Sequence, residues 1–172
     1  GNRAIEFHRN YASLPMVTIA LPIEGADMVS FDAYRGMKAL VSHCIGVHGA
    51  TRIAFIRGPE NHVSAEQRFQ AYRDALSEAG IPIRPNLISS PSPWHKGEAA
   101  LQELLDERNL KPKRDFTMVC CASDLLMLNV ANVLERRGYR IPDEVGLVRF
   151  NDSAESRFLA VPGTTVRVPF GA

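Results

Sequence analysis

Short apolar runs alternate along this chain with longer segments in which apolar residues recur every three or four positions. Four of the runs have the length and composition of β-strands: Leu14–Leu21, Arg52–Arg57, Phe116–Ala122 and Val145–Phe150. Phe116–Ala122 is apolar apart from one Thr, which is typical of a strand covered on both faces. Asn86–Ser89 is predicted as a fifth, weaker strand.

Four segments between these strands have the spacing of amphipathic helices. They are Asp32–His48, Ser64–Gly80, Lys96–Arg108 and Ser123–Gly138. The second opens on Ser64-Ala65-Glu66-Gln67, which has the spacing of a capping box. We expect this helix to bury Phe69, Tyr72, Leu76 and Ala79. Either Ser123 or Asp124 is expected to cap the fourth helix.

This alternation of strands and helices is typical of βαβ units. It predicts an α/β fold with three layers, helix, sheet and helix, and a mainly parallel sheet. Ligands of such sheets bind beyond the carboxyl ends of the strands. Three loops with polar groups begin there: Gly58–Ser64, Ala122–Asp124 and Asn151–Ser156. These loops form a candidate binding cleft.

The composition favours a globular domain and argues against a nucleic-acid or membrane surface as a direct partner. The chain has 172 residues, of which 45% are hydrophobic and 23% charged. Its 20 basic and 19 acidic residues are interleaved and give a net charge of +1, so we do not expect this chain to bind DNA directly. No apolar stretch reaches the about 18–20 residues that cross a bilayer, and the first residues lack a signal-peptide core.

The three cysteines predict a reduced, cytoplasmic protein. Cys120 and Cys121 are adjacent, which disfavours a disulfide between them, and Cys44 makes the count odd. We therefore expect small buried thiols. His43 and His48 are five residues apart, so on a regular helix they point away from each other and make a poorly directed zinc site with Cys44. No metal is expected.

Nucleotide-binding and nucleophile motifs are missing from the chain. Gly58-Pro59-Glu60-Asn61-His62 follows a strand, but it has neither the glycine spacing of a dinucleotide loop nor the Gly-Lys-Ser/Thr of a phosphate loop. Gly-x-Ser-x-Gly is absent, and local sequence places no Cys and His pair for nucleophilic work. No cofactor is expected, whereas an acid–base pair between distant carboxylates stays open.

Five residues near the loops each have a structural and a functional interpretation. Arg68 is either a solvated helix arginine or a fork that donates paired hydrogen bonds to a ligand. Ser123 is either only a helix cap or also a ligand contact, and Asn151 with Asp152 is either only a turn or part of the site. Trp94, the sole tryptophan, is a core or rim residue or a flat apolar platform for a sugar ring.

Eight segments follow one another in a characteristic order. They are Val29–Gly36, Arg52–Pro59, Arg68–Tyr72, Ala75–Ile81, Ala122–Asp124, Arg137–Val145, Phe150–Asp152 and Pro162–Val166. In this order and spacing they resemble the effector-binding domain of the lac repressor (LacI/GalR) family, which has the periplasmic-binding-protein type I fold. The resemblance covers Val29 to Val168.

The resemblance implies that the chain holds mainly one of the two lobes that close on an effector in this family. Residues 1–28 are then a remnant of the N-terminal lobe, with Leu14–Leu21 as its last strand, and residues 29–172 are the C-terminal lobe. The rest of the N-terminal lobe and a DNA-binding headpiece are expected to precede them in a longer regulator.

The resemblance also implies a set of ligand-binding residues: Ser64, Arg68, Trp94, Ser123, Arg149 and Asn151. Arg68 matches the family arginine that contacts the effector. Ser123 stands where Asn is usual and Asn151 where the first of two Asp residues is usual, so an amide and a carboxylate that bind sugar hydroxyls are replaced. Arg149 stands in place of a Gly and brings a cation near the cleft.

A homodimer is implied as well. In the family, the matching stretches meet across a two-fold axis, and here they offer Leu125, Leu128, Phe158 and Leu159, which would otherwise face their own core.

The predicted function is to sense a sugar or another small polar metabolite for a LacI-type regulator, which contacts DNA only through its headpiece. The alternatives are a sensor region of a histidine kinase or diguanylate cyclase, a dimerisation module, and an α/β enzyme that uses groups such as His62 or Asp124.

Overall fold

The computed structural model describes residues 2–11, 13–154 and 163–169. They fall into two compact units, Gly1–Asp32 and Ala33–Ala172. In the first unit, helix α1 (Asn2–Asn10) precedes two short parallel strands, β1 (Val17–Ile19) and β2 (Asp27–Val29). Strand β1 lies inside the run for which a strand was predicted, whereas α1 was not predicted.

Among its described residues, the second unit contains four strands and four helices, most of which alternate along the chain. They are α2 (Ala33–His48), β3 (Ile53–Ile56), α3 (Val63–Glu78), α4 (Gly97–Gln102, continued by a π-helical segment Glu103–Glu107), β4 (Met118–Cys121), α5 (Asp124–Arg136), β5 (Gly146–Asn151) and β6 (Thr164–Arg167). All four strands are parallel, in the order β3-β4-β5-β6. The predicted α/β class is confirmed.

Helices cover both faces of this sheet. On one face, Gly36 of α2 lies so close to Phe150 and Val166 that an added Cβ would be 3.0 Å and 2.9 Å from their side chains. On the other face, Arg149 lies against Met127 of α5. Neighbouring residues of a strand point to opposite faces. The two contacts therefore define the three layers.

The centre of the sheet is fully apolar, as expected for parallel strands covered on both sides. All residues of β3 and β4 are buried. The three cysteines are free and buried, as predicted. Burial raises the pKa of the Cys44 thiol to about 11, so the thiol stays protonated and behaves as a small apolar group.

The predicted strand Asn86–Ser89 is wrong. Pro85–Leu87 forms a 3₁₀ turn, and only Ile88 makes a bridge, to Phe55. Pro85 starts the turn with its φ already set, and the hydroxyl of Ser89 accepts a hydrogen bond from the backbone N–H of Arg57 (3.0 Å). The segment therefore touches the edge of β3 without continuing as a strand. Strand β6, in contrast, was not predicted, because Thr164–Arg167 lacks the continuous apolar run that marks β3 and β4.

The capping box predicted at Ser64 is also wrong. Helix α3 begins at Val63 after an extended His62, so Ser64 is the second helical residue, and the side chain of the N-cap residue His62 makes no capping hydrogen bond. Ala79 is exposed rather than buried, because the helix ends there, before Gly80 turns the chain at a φ of +68°.

His43 and His48 do not point apart, contrary to the prediction. Their rings meet edge to face with centroids 5.1 Å apart. His48 is the last residue of α2, and Gly49 follows it at a φ of +62°. Within the described residues, no group of three or more His, Cys, Asp or Glu side chains is placed to hold a metal ion.

Candidate ligand-binding site

The carboxyl ends of β3, β4 and β5 meet at one edge of the sheet, and Arg68 joins the loops that follow two of them. Its guanidinium donates one hydrogen bond to the backbone carbonyl of Ala122, directly after β4. It donates another to the side-chain oxygen of Asn151, at the end of β5 (3.3 Å). The structure therefore brings together Arg68, the Ala122–Asp124 loop and Asn151.

Arg68 is a buried arginine and not a solvated one. Its exposed fraction is 3%, and its guanidinium lies 3.9 Å from the ring centroid of Phe150 and 5.6 Å from that of Trp94. Burial lowers the pKa of Arg68 to about 10, while the charge of Asp124 acts in the opposite direction. The guanidinium stays charged at neutral pH and is held in one orientation by aromatic and carbonyl contacts.

Trp94 is half-buried and packs directly on the loop after β3. An ideal Cβ at Gly58 would lie 2.5 Å from Cζ3 of the indole, so the ring approaches the backbone as only a glycine permits. His62 meets the same indole edge to face, with centroids 5.3 Å apart. His62 is a neighbour of the site that sequence reasoning named only for the enzyme alternative.

Ser64 and Ser123 lie on the two helices that flank this edge. Ser64 is buried four residues before Arg68 on α3, which puts both on one face of the helix. Ser123 is buried at the N-cap of α5, and its hydroxyl accepts a hydrogen bond from the backbone N–H of Leu126 (3.3 Å). The structure thus confirms that Ser123 caps α5 and locates it next to the carbonyl that holds Arg68.

Asn151 and Asp152 form a tight turn at the end of β5. Their φ angles are +120° and +54°, in the region that Asn and Asp tolerate better than other non-glycine residues. The Asn151 carbonyl accepts from the N–H of Val168 (2.9 Å), and the Asp152 carboxylate accepts from Arg167 (2.6 Å). This turn presents the Asn151 amide to Arg68.

Arg149 lies on the other face of β5 from Phe150. It is 6% exposed, and its Nε is 2.9 Å from Oδ1 of Asp124. The other oxygen of that carboxylate accepts from the backbone N–H of Ser153 (2.6 Å). Arg149 therefore reaches the site through Asp124 and does not lie beside Arg68. Sequence reasoning missed this pair, for which the only signal was an arginine within an apolar strand.

Residues 41–172 match the family model of the periplasmic binding protein-like domain. The chain belongs to this family. Eight short segments indicated a resemblance to LacI/GalR regulators. The similarity of this periplasmic-binding-protein-like domain to known transcriptional regulators confirms it.

Two relatives are bacterial regulators. The domain is 34% identical over 152 residues to the HTH-type transcriptional regulator CelR of Thermobifida fusca, an alignment that covers 88% of this chain and 43% of CelR. It is 36% identical over 142 residues to the HTH-type transcriptional regulator GalR of Escherichia coli K12, covering 82% of this chain and 40% of GalR. The chain spans less than half the length of these curated relatives.

A solved structure of a complex between the transcriptional regulator CelR and cellobiose is similar to this domain. It has a TM-score of 0.79 at 33% identity, over 92% of this chain and 48% of that one. In parallel α/β sheets in general, ligands bind beyond the carboxyl ends of the strands.

A separate cavity of about 540 Å³ opens at the amino ends of the strands of this periplasmic-binding-protein-like domain. It is bordered by His48, Met118 and Gly146, and the described residues that line it include no Lys, Arg, Asp or Glu. A polar ligand finds few directed partners there. The cavity does not include Arg68 and is distinct from the candidate site.

Two of the four residues predicted for the dimer interface lie on the surface of α5. Leu125 is 45% exposed and Leu128 is 36% exposed. For these two leucines, the alternative that they face the core of their own domain is therefore wrong. Phe158 and Leu159 lie outside the described residues.

Across the described ranges, no helix is both long and apolar enough for a bilayer crossing.

Proposed function

We propose that this chain is the effector-sensing part of a LacI-type transcriptional regulator of the cytoplasm. The observation that carries the proposal is the buried Arg68 fork, which is held at the carboxyl ends of the strands between Ala122 and Asn151. An arginine in this setting donates paired, charge-assisted hydrogen bonds to a ligand oxygen. The similarity to CelR and GalR supports a sensing role without turnover.

The proposed effector is a sugar or another small polar metabolite. Arg68 orients its oxygens, and Ser64, Ser123 and Asn151 provide further hydroxyl and amide groups, while Trp94 offers a flat apolar surface to a ring. CelR has been solved with cellobiose, which makes disaccharides the first compounds to test. Arg149 is proposed to act on the ligand site indirectly, through its ion pair with Asp124.

Effector binding is proposed to favour one arrangement of the two lobes and so to change the DNA affinity of an attached headpiece. The proposed regulator is a homodimer that pairs through Leu125 and Leu128, together with Phe158 and Leu159. Exposed leucines on one helix are suited to a self-complementary two-fold contact.

A thermal-shift screen tests the ligand site directly. The 172-residue chain is heated with cellobiose, monosaccharides, nucleosides and small carboxylates. A compound at ten times its dissociation constant stabilises the fold by about 1.4 kcal/mol, which raises Tm by roughly 3–6 °C for a chain of this size.

Two variants of helix α3 test whether a thermal shift arises from the proposed ligand site. Arg68→Lys keeps the charge and removes the fork, so the shift is expected to disappear. Arg73→Ala removes an exposed arginine of the same helix and is expected to leave the shift unchanged. A shift that survives Arg68→Lys would contradict the proposed site.

A further inference from the structure

Arg149 is a buried charge within an otherwise apolar strand. Its neighbours Leu147, Val148 and Phe150 are all buried, and the exposed fraction of Arg149 itself is 6%. A charge in such a place is costly unless a counter-charge and hydrogen bonds compensate it. The groups that surround Arg149 must therefore compensate the cost of burying its charge.

The counter-charge is Asp124, which lies at the start of α5. The two groups meet at 2.9 Å, and only 7% of each side chain is exposed. Two other neighbours of the guanidinium are uncharged: its Nη1 lies 3.7 Å from the Met127 sulfur, and an ideal Cβ on Gly163 would lie 3.4 Å from that nitrogen. Arg149 is thus enclosed by α5 and the backbone before β6.

The second oxygen of Asp124 links this pair to the turn after β5. It accepts from the backbone N–H of Ser153 at 2.6 Å. That turn contains Asn151 and Asp152, whose φ angles of +120° and +54° are unfavourable for a free chain and persist only when surrounding contacts hold them. The Asn151 amide in turn accepts from Arg68.

We propose that Arg149 is a positioning residue of the ligand site, which acts through Asp124. The guanidinium fixes the carboxylate, the carboxylate holds the turn at Ser153, and the turn presents the Asn151 amide that orients Arg68. The arrangement spans β5, α5 and α3, so that a residue without direct contact to a ligand sets the direction of the Arg68 fork. The ligand consequence rests on the proposed function, whereas the effect on the turn does not.

Amide hydrogen exchange of the 172-residue chain measures the turn without any ligand. In Arg149→Met the carboxylate loses its anchor, and we expect the Ser153 amide to exchange at least about tenfold faster than in the unchanged protein. The side-chain NMR signals of the Arg68 guanidinium are expected to broaden in the same variant. Exchange at Val119 and Cys120 in β4 should stay the same.

Three further variants separate positioning from a general loss of stability. Arg149→Met combined with Asp124→Asn leaves no lone buried charge and keeps an acceptor for Ser153, yet we expect faster exchange there as well. Arg149→Lys restores the charge and is expected to recover most of the protection. Arg137→Met makes the same change in an exposed pair with Asp106 and should leave Ser153 unaffected.

Two results would overturn the proposal. One is unchanged exchange at Ser153 and unchanged Arg68 signals in the folded double variant, which would make the pair a space-filling contact. The other is an equal loss of protection in β4, which would mean that the pair supports the whole sheet. Neither result depends on finding an effector, so a failed ligand screen leaves the inference testable.

Discussion

A methyl group at Gly58 would show how closely the candidate site is built around Trp94. The ideal Cβ lies 2.5 Å from Cζ3 and 2.6 Å from Cη2 of the indole, and 3.0 Å from the Cβ of Ala65. Carbon atoms in ordinary contact are about 3.5–4.0 Å apart. The indole must therefore move by about 1 Å or leave its position. Gly58 does not have a left-handed φ, so the cost of the substitution comes from these close contacts, chiefly with the indole, and not from backbone strain.

We expect Gly58→Ala to lower the free energy of unfolding by about 1–3 kcal/mol, which is the usual range for overpacking. A chain of this size loses roughly 2–4 °C in Tm for each kcal/mol. Trp94 is the sole tryptophan, so its fluorescence reports on this ring alone. The emission is expected to move to longer wavelength as displacement exposes the indole to water.

Two variants control for effects that do not involve the ring. Gly46→Ala adds a methyl group in α2 where, apart from its chain neighbours and the backbone of the helix itself, no atom lies within 4 Å, and we expect it to stabilise the helix by about 1 kcal/mol without changing the emission. Trp94→Phe removes the two clashing atoms, so Gly58→Ala should cost less in that background. Unchanged Tm and emission in Gly58→Ala, or an equal cost in the Trp94→Phe background, would contradict a clash between the added methyl group and the indole.

Three other outcomes follow from the described contacts. Ser123→Ala removes the N-cap of α5 and is expected to cost about 1 kcal/mol in urea unfolding, whereas an unchanged midpoint would show that the cap contributes nothing. The raised pKa of Cys44 means that the unfolded chain ionises first, so stability is expected to fall as pH rises from about 9 to about 11; a Cys44→Ala variant should lose this part of the pH dependence. Leu128→Asp is expected to give a monomer in sedimentation velocity while Val47→Asp, at another exposed apolar position, leaves the dimer; equal masses for both would contradict the proposed interface.

Sequence periodicity predicted most of the elements of the second unit because their burial is regular. Strands covered on both faces must be apolar throughout, and Phe116–Ala122 shows that pattern without help from the rest of the chain. Helices with one buried face must repeat every three or four residues, as α2 and α5 do. Two of the wrong predictions concerned segments without such regularity: the edge segment Asn86–Ser89 and the start of α3 at Ser64.

For the site residues as well, the sequence predicted positions, whereas their burial and contacts followed from the fold. Arg68 and Asn151 were named through the order of the family motifs, and the parallel register then explains why residues 83 positions apart share a hydrogen bond. Nothing local distinguished Arg68 from a solvated helix arginine. Its burial against Phe150 and beside Trp94 is a property of three separate elements that meet at one edge of the sheet.

Repeated local patterns along the chain predict the class of fold and the edge of the sheet where a ligand is expected, and the order of short motifs identifies the family. The pairing of side chains, in contrast, depends on how the elements pack in three dimensions. Arg149 and Asp124 are 25 residues apart, and their contact depends on the face of β5 that Arg149 occupies and on where α5 begins. Periods of two and 3.6 residues encode which side of an element is buried, and the packing of the elements decides what each buried charge meets.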